Sequence, residues 1–119
     1  MGKYQELQVY QRSLDLVISV YKTISALKDF SLKDQIQRAA VSIPSNIAEG
    51  SERGSTKDYV RFLYISRGSL AELKTQLLIT KRLQLAKSQD LTNLLTDLDH
   101  IGKMLNGLIK SLKNLDTSS

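Results

Sequence analysis

Cysteine and tryptophan are absent from the chain, and histidine and proline occur once each, as His100 and Pro44. Without a thiol there is no disulfide, no thiolate nucleophile and no sulfur-ligated zinc. A lone imidazole gives neither a histidine-based metal set nor a histidine triad. His100, beside Asp99 and Ile101 in a helical pattern, reads as a helix-surface or boundary residue. No metal, cofactor or small-molecule substrate is expected. No run approaches the roughly twenty apolar residues that a membrane helix requires, so no membrane partner is expected either. The opening residues, MGKYQELQVYQRS, lack the apolar core and small-residue cleavage site of a signal peptide, which makes cytoplasmic the expected location.

What is present is helix-forming text. The 119 residues are 41% hydrophobic and 24% charged, the balance of one globular domain, read as a single unit over 1–119. Apolar residues recur at steps of three and four in four segments, about 4–28, 32–50, 56–85 and 89–114. In the first, Leu7, Tyr10, Leu14, Val17, Tyr21 and Ile24 form the expected seam, widened by Val9, Leu16, Ile18 and Val20. The second carries Ile36, Ala39, Ala40, Ile43 and Ile47, with Ser31 as its expected cap. The third carries Leu63, Ser66, Leu70, Leu73, Leu77 and Thr80, and the fourth repeats leucine and isoleucine from Leu91 to Leu115. Four such helices on short loops predict an all-α, antiparallel up-down-up-down four-helix bundle.

The stretch RAAVSIPSNIAEGSERG, Arg38 to Gly54, stands apart because it holds Pro44, Gly50 and Gly54. Proline inside a helix removes a backbone donor and crowds the carbonyl four residues earlier, here that of Ala40. Either a kinked continuous helix or a break with a fresh start near Ser42 satisfies that constraint. The three-and-four rhythm runs through Pro44, so a Pro-kinked second helix is expected. Arg38, Ser42, Ser45, Asn46, Glu49 and Arg53 share one helical face. Gly68 and Ser69, with Glu72 one turn on, form a second patch of small residues. Glycine inside a helix costs about 1 kcal/mol against alanine, so Gly68 suggests close backbone packing against the Pro44 region. Glu72 would then pair with Arg38 or Arg53.

Three kinds of function follow from these residues. Catalysis would rest on Glu49 and Glu72 as a carboxylate pair, but no nucleophile with an oriented base accompanies them, so no enzyme is expected and no residue is assigned a catalytic role. Nucleic-acid binding would rest on the net charge of +5 and on a basic run through the second loop and third helix. Its candidates are Arg53, Lys57, Arg61, Tyr64, Arg67 and Lys74, of which Lys57, Arg61, Tyr64 and Arg67 lie close together on helical spacing. Binding of this kind addresses the phosphate backbone and weakens with salt. The third kind is assembly, because the apolar faces are wider than one bundle interior requires.

SIPSNIAEG, followed by GSLAEL at Gly68 to Leu73, resembles the bacterial four-helix-bundle family encoded in intervening sequences of large-subunit (23S) ribosomal RNA genes. The likeness covers nearly the whole chain. It matches the family pattern at Arg38, Ser42, Pro44, Asn46, Glu49, Gly50, Arg53, Gly68, Ser69, Glu72 and Leu73. The fold is also similar to that of the accessory variability protein of diversity-generating retroelements. The resemblance implies a homopentameric ring, and for the accessory protein a basic surface associated with nucleic acid and a reverse transcriptase. The combined expectation is a non-enzymatic, oligomeric bundle that binds RNA or DNA through a basic surface. The alternative is a protein assembly module with no nucleic-acid role.

Overall fold

The computed structural model describes residues 3–118, and side chains through residue 115. These residues form four α-helices and no strand: α1 (Gln8–Thr23), α2 (Phe30–Ser51), α3 (Thr56–Arg82) and α4 (Ser88–Ser118), preceded by a 3-10 turn at Tyr4–Glu6. No described helix is long and apolar enough to cross a membrane. The helices pack into an elongated bundle of 51 × 20 × 20 Å.

Helices α2 and α3 begin, and α3 ends, for local reasons. The cap of α2 is Asp29, whose carboxylate accepts from the Leu32 amide at 3.0 Å, and not the expected Ser31. The aspartate two residues earlier reaches a free first-turn donor, and Ser31 is left inside the helix. Ser55 caps α3 in the same way, its hydroxyl accepting from Asp58 N at 3.1 Å. At the far end of α3 the chain reverses through Gln84, at φ 56°. The Leu85 amide reaches Thr80 O and the Gln84 amide reaches Lys81 O, a paired closure that ends the helix three residues before the expected boundary.

Burial follows the expected seams in α2 and α3, follows that of α4 only as far as Leu105, and departs from that of α1. In α3, Leu63, Ser66, Leu70, Leu73, Leu77 and Thr80 are all buried, and α4 buries Leu91, Leu94, Leu98, Ile101 and Leu105. Beyond Leu105 the expected row turns off the core: Leu108 and Leu112 are half-buried, Leu115 is exposed, and Ile109 takes the buried place. In α1 the core face is Val9, Ser13, Leu16 and Val20, continued by Ile24 and Leu27 beyond the helix. Of the expected α1 seam only Ile24 is buried, and the rest is the outer stripe: Leu14 and Tyr21 are exposed, while Leu7, Tyr10 and Val17 are half-buried. Two apolar stripes run along α1, and Ser13 disguised the inner one. Its hydroxyl donates to Val9 O at 2.6 Å, which removes the cost of burying it.

Helix α2 is continuous through Pro44, so the chain does not restart at Ser42. Its partner is α3. Ser66 Oγ donates to Ile43 O at 2.8 Å, Ser42 and Ser69 hydroxyls meet at 2.8 Å, and Gly50 lies against Tyr59 and Phe62. Positions rise along α2 as they fall along α3. The same order holds between α3 and α4, where Arg67 meets Asn106, Lys74 meets Asp99 and Lys81 meets Thr92. The α1–α2 and α3–α4 turns therefore lie at one end of the bundle, and the α2–α3 loop at the other.

Candidate nucleic-acid interface

The motif stretch resolves into a buried joint and an exposed row. Ile43, Pro44 and Ile47 are buried, and Gly50 is the tight point: a Cβ there would stand 2.7 Å from Phe62 Cβ and 3.2 Å from Tyr59 O. Asn46 Nδ2 donates to the carbonyl and the hydroxyl of Ser42, at 2.8 and 2.9 Å. Near the proline, the Asn46 amide thus serves the carbonyl of Ser42 and the Ser66 hydroxyl that of Ile43. Burial of Tyr59 lifts its phenol above the ordinary 10.0, opposed by a hydrogen bond with Ser51.

Gly68 does not belong to this joint. It is exposed, and a Cβ there would meet nothing within 4 Å. The expected pairing of Glu72 with Arg38 or Arg53 is also absent. Arg38 bonds Asp34 at 2.8 Å within α2 and Arg53, in the loop just past α2, bonds Glu49 at 2.7 Å, while Glu72 accepts from Gln76 Nε2 at 3.3 Å. A partner one helical turn away costs an exposed arginine less ordering than one on a neighbouring helix. Glu49 and Glu72 therefore serve different neighbours. Among the described residues no group of three or more histidine, cysteine, aspartate or glutamate side chains is placed to hold a metal ion.

The six candidate residues for nucleic acid separate into two places. Arg53 and Arg61 both bring their guanidinium groups over the Phe62 ring, 4.6 Å from its centroid in each case. Arg53 is held by Glu49, and Arg61 lies 3.6 Å from Asp58, so both are locally compensated. Lys57 is exposed in the first turn of α3. Tyr64, Arg67 and Lys74 face α4 instead. Arg67 stacks 4.7 Å from the Tyr64 centroid and donates to Asn106 Oδ1 at 3.1 Å, and Lys74 reaches Asp99 at 3.5 Å. The expected common face of Lys57, Arg61, Tyr64 and Arg67 is thus divided, because Arg61 stays on Asp58 and Phe62 of its own helix while Arg67 reaches Asn106 of α4.

The α3–α4 seam also gathers further cations, Lys81 from the basic run on α3 itself and others from α4. Lys81 follows Arg67 and Lys74 at the same seven-residue interval and donates to Thr92 Oγ1 at 3.0 Å. From α4, Lys113 places its amine 5.1 Å from the Tyr64 centroid. Exposed Lys103 and Lys110 stand one turn beyond Asp99 and Asn106, on the same helical face. The sequence signal was the spacing of 99, 103, 106, 110 and 113, read only for its leucines. Of the three α3 cations, only Lys74 is in ion contact with a carboxylate among the described residues. With Arg67 and Lys113 against the Tyr64 ring, the seam offers charge and leaves little free aromatic face for base stacking.

Comparison with known proteins closes on one family. The family model described as 23S rRNA-intervening sequence protein matches residues 5–107. A solved crystal structure from Bacteroides thetaiotaomicron, described as a protein with unknown function from the S23 ribosomal protein family, is similar at a TM-score of 0.80 and 26% identity. The match covers 86% of this chain and 98% of that one. No curated protein matched.

Proposed function

The chain belongs to the 23S rRNA-intervening sequence protein family, and on that premise we propose that it is a non-catalytic, self-associating bundle that holds nucleic-acid backbone along the α3–α4 seam. The observation that carries this reading is the row Arg67, Lys74 and Lys81, each anchored on an α4 side chain and flanked by Lys103, Lys110 and Lys113. Seven residues rise about 10.5 Å, so the row is a regular ladder of positive charge. Such a ladder addresses phosphates without reading bases. Self-association is supported by the outer α1 stripe. Leu14, Ile18 and Tyr21, with Val41 of α2, are exposed beside half-buried Tyr10 and Val17. An apolar stripe of this kind suits a second copy of the chain, and the family resemblance puts the expected ring at five copies in the cytoplasm.

A salt titration of binding to RNA and to DNA tests the seam. Wild-type protein is expected to bind both, with affinity falling steeply as salt rises. Arg67→Ala with Lys74→Ala is expected to reduce the slope of log affinity against log salt by about 2. No binding at low salt by an intact oligomer would leave the rival reading, a pure assembly module. That reading is favoured by the carboxylates beside Arg53, Arg61 and Lys74. Light scattering tests the assembly itself, which a monomer at micromolar concentration would exclude.

A further inference from the structure

The end of the bundle that carries the α1–α2 and α3–α4 turns is unlike the rest of the surface. Phe30, the first residue of α2, is 78% exposed, and Leu83, just past α3, is 59% exposed. Neither packs against the core. Ile79 and Leu85 are exposed at the same end. Cations bracket these side chains: Lys28 precedes Phe30 by two residues, and Arg82 and Lys87 flank the α3–α4 turn. All three are exposed and in no ion pair among the described residues. Of the carboxylates nearby, Asp29 is engaged as the α2 cap and Asp34 by Arg38. Exposed Asp90, in the first turn of α4, is in no ion pair among the described residues, so the three cations outnumber the one unengaged acid. Between the last turn of α3 and the start of α4 lies an open depression of about 650 Å³. Leu78 and Ala86 give it apolar walls, and Lys81, Arg82, Gln84 and Ser88 give it a polar, cationic rim.

We propose that this end of the bundle docks on an anionic lipid bilayer, with Phe30 and Leu83 entering the acyl boundary and Lys28, Arg82 and Lys87 lying among the headgroups. The choice of occupant follows from charge and shape. Nucleic acid would meet the cations and leave the apolar tips in water. A bilayer with acidic headgroups offers negative charge and an apolar interior in successive layers, and it yields to two tips that project from separate turns. The lining of the depression, part apolar and part cationic, suits a phospholipid headgroup and the start of its chains. No helix spans the membrane in this arrangement. Attachment is peripheral and reversible, and it does not depend on the α3–α4 seam binding nucleic acid.

Co-sedimentation of the full chain with phosphatidylcholine vesicles, with and without phosphatidylglycerol, tests the proposal. Retention is expected only on vesicles containing phosphatidylglycerol, and it should decline as salt rises. The double variant Phe30→Ser, Leu83→Ser is expected to lose at least about tenfold in partitioning, with its circular dichroism unchanged, because both side chains are already in water in the free protein. Arg67→Ala with Lys74→Ala should leave retention on vesicles intact. The proposal is overturned if wild-type protein stays in solution with phosphatidylglycerol vesicles at low salt, or if the Phe30, Leu83 variant sediments as well as wild type. It is equally overturned if that variant changes the oligomer mass without vesicles, since the tips would then be a subunit interface, or if the Arg67, Lys74 variant loses retention.

Discussion

Gly50 and Gly68 both stand inside helices, and of the two the sequence reads Gly68 as the sign of close backbone packing. The structure gives them opposite surroundings. At Gly50 an added methyl group would press on Phe62 Cβ and on a backbone carbonyl, neither of which swings aside as a flexible chain end does. At Gly68 the same methyl would enter open space. A glycine inside a helix carries the same backbone cost wherever it stands, but only the first is accounted for by packing within the chain. The second is left for something outside it, which is where the assembly reading gains support.

The largest expected effect comes from forcing the packed position. Gly50→Ala must push α2 and α3 apart, and overpacking of this kind costs about 1–3 kcal/mol, less whatever alanine returns in helix propensity. A clear fall in thermal midpoint is expected. An unchanged midpoint would mean that the joint is looser than its distances imply. Next is Ser66→Ala, which deletes the buried hydrogen bond to Ile43 O beside Pro44 and is expected to cost about 1 kcal/mol in chemical denaturation. The half-buried Ser69→Ala, which loses only its contact with Ser42, should cost less. Equal losses would show that burial does not set the value of these hydroxyls.

Gly68→Ala has the opposite sign. With open space for the methyl group, the isolated bundle is expected to gain about 0.4–1 kcal/mol. If a second copy approaches closely there, light scattering should show weaker association in the same variant. Gain of stability with unchanged association would remove Gly68 from any interface.

How much of this was legible depended on whether a signal was local. The α3 core, and that of α4 as far as Leu105, were read correctly because leucine and isoleucine mark one dominant stripe, even though Ile65, Leu78 and Ile79 of α3 and Leu115 of α4 face away. Helix α1 carries two stripes, and nothing local says which faces inward. That is decided by where α2 and α4 pack, and a buried serine whose hydroxyl turns back on its own helix looks polar in sequence. The reversal after α3 escaped for a similar reason, since Gln84 holds a left-handed backbone position more often given to glycine. Of the candidate site, Tyr64, Arg67 and Lys74 were legible from α3 alone. Lys103, Lys110 and Lys113 were not, because the seam exists only once α4 lies beside α3. Arg61 was drawn into the same group by spacing and Arg53 by its place in the basic run, and packing puts both against Phe62.

The smallest effect is confined to alkaline solution and tests the packed joint from another side. Tyr59 lies against Gly50, and burial disfavours its phenolate, so its folded value lies above 10.0. The native state therefore holds this proton more tightly than the unfolded chain. The resulting stability is complete below the unfolded value near 10 and is lost as pH rises through the raised folded value. Tyr59→Phe removes that term. At neutral pH the variant is expected to differ from wild type by a few tenths of a kcal/mol, because the Ser51 hydroxyl left behind can turn to the carbonyl of Ile47 one turn earlier in its helix. Above pH 10 the two stability curves should converge or cross, the wild type declining more steeply. Parallel curves through that range would mean that the phenolate is accommodated as readily in the fold as in water, and that the Gly50 joint opens far enough to admit solvent.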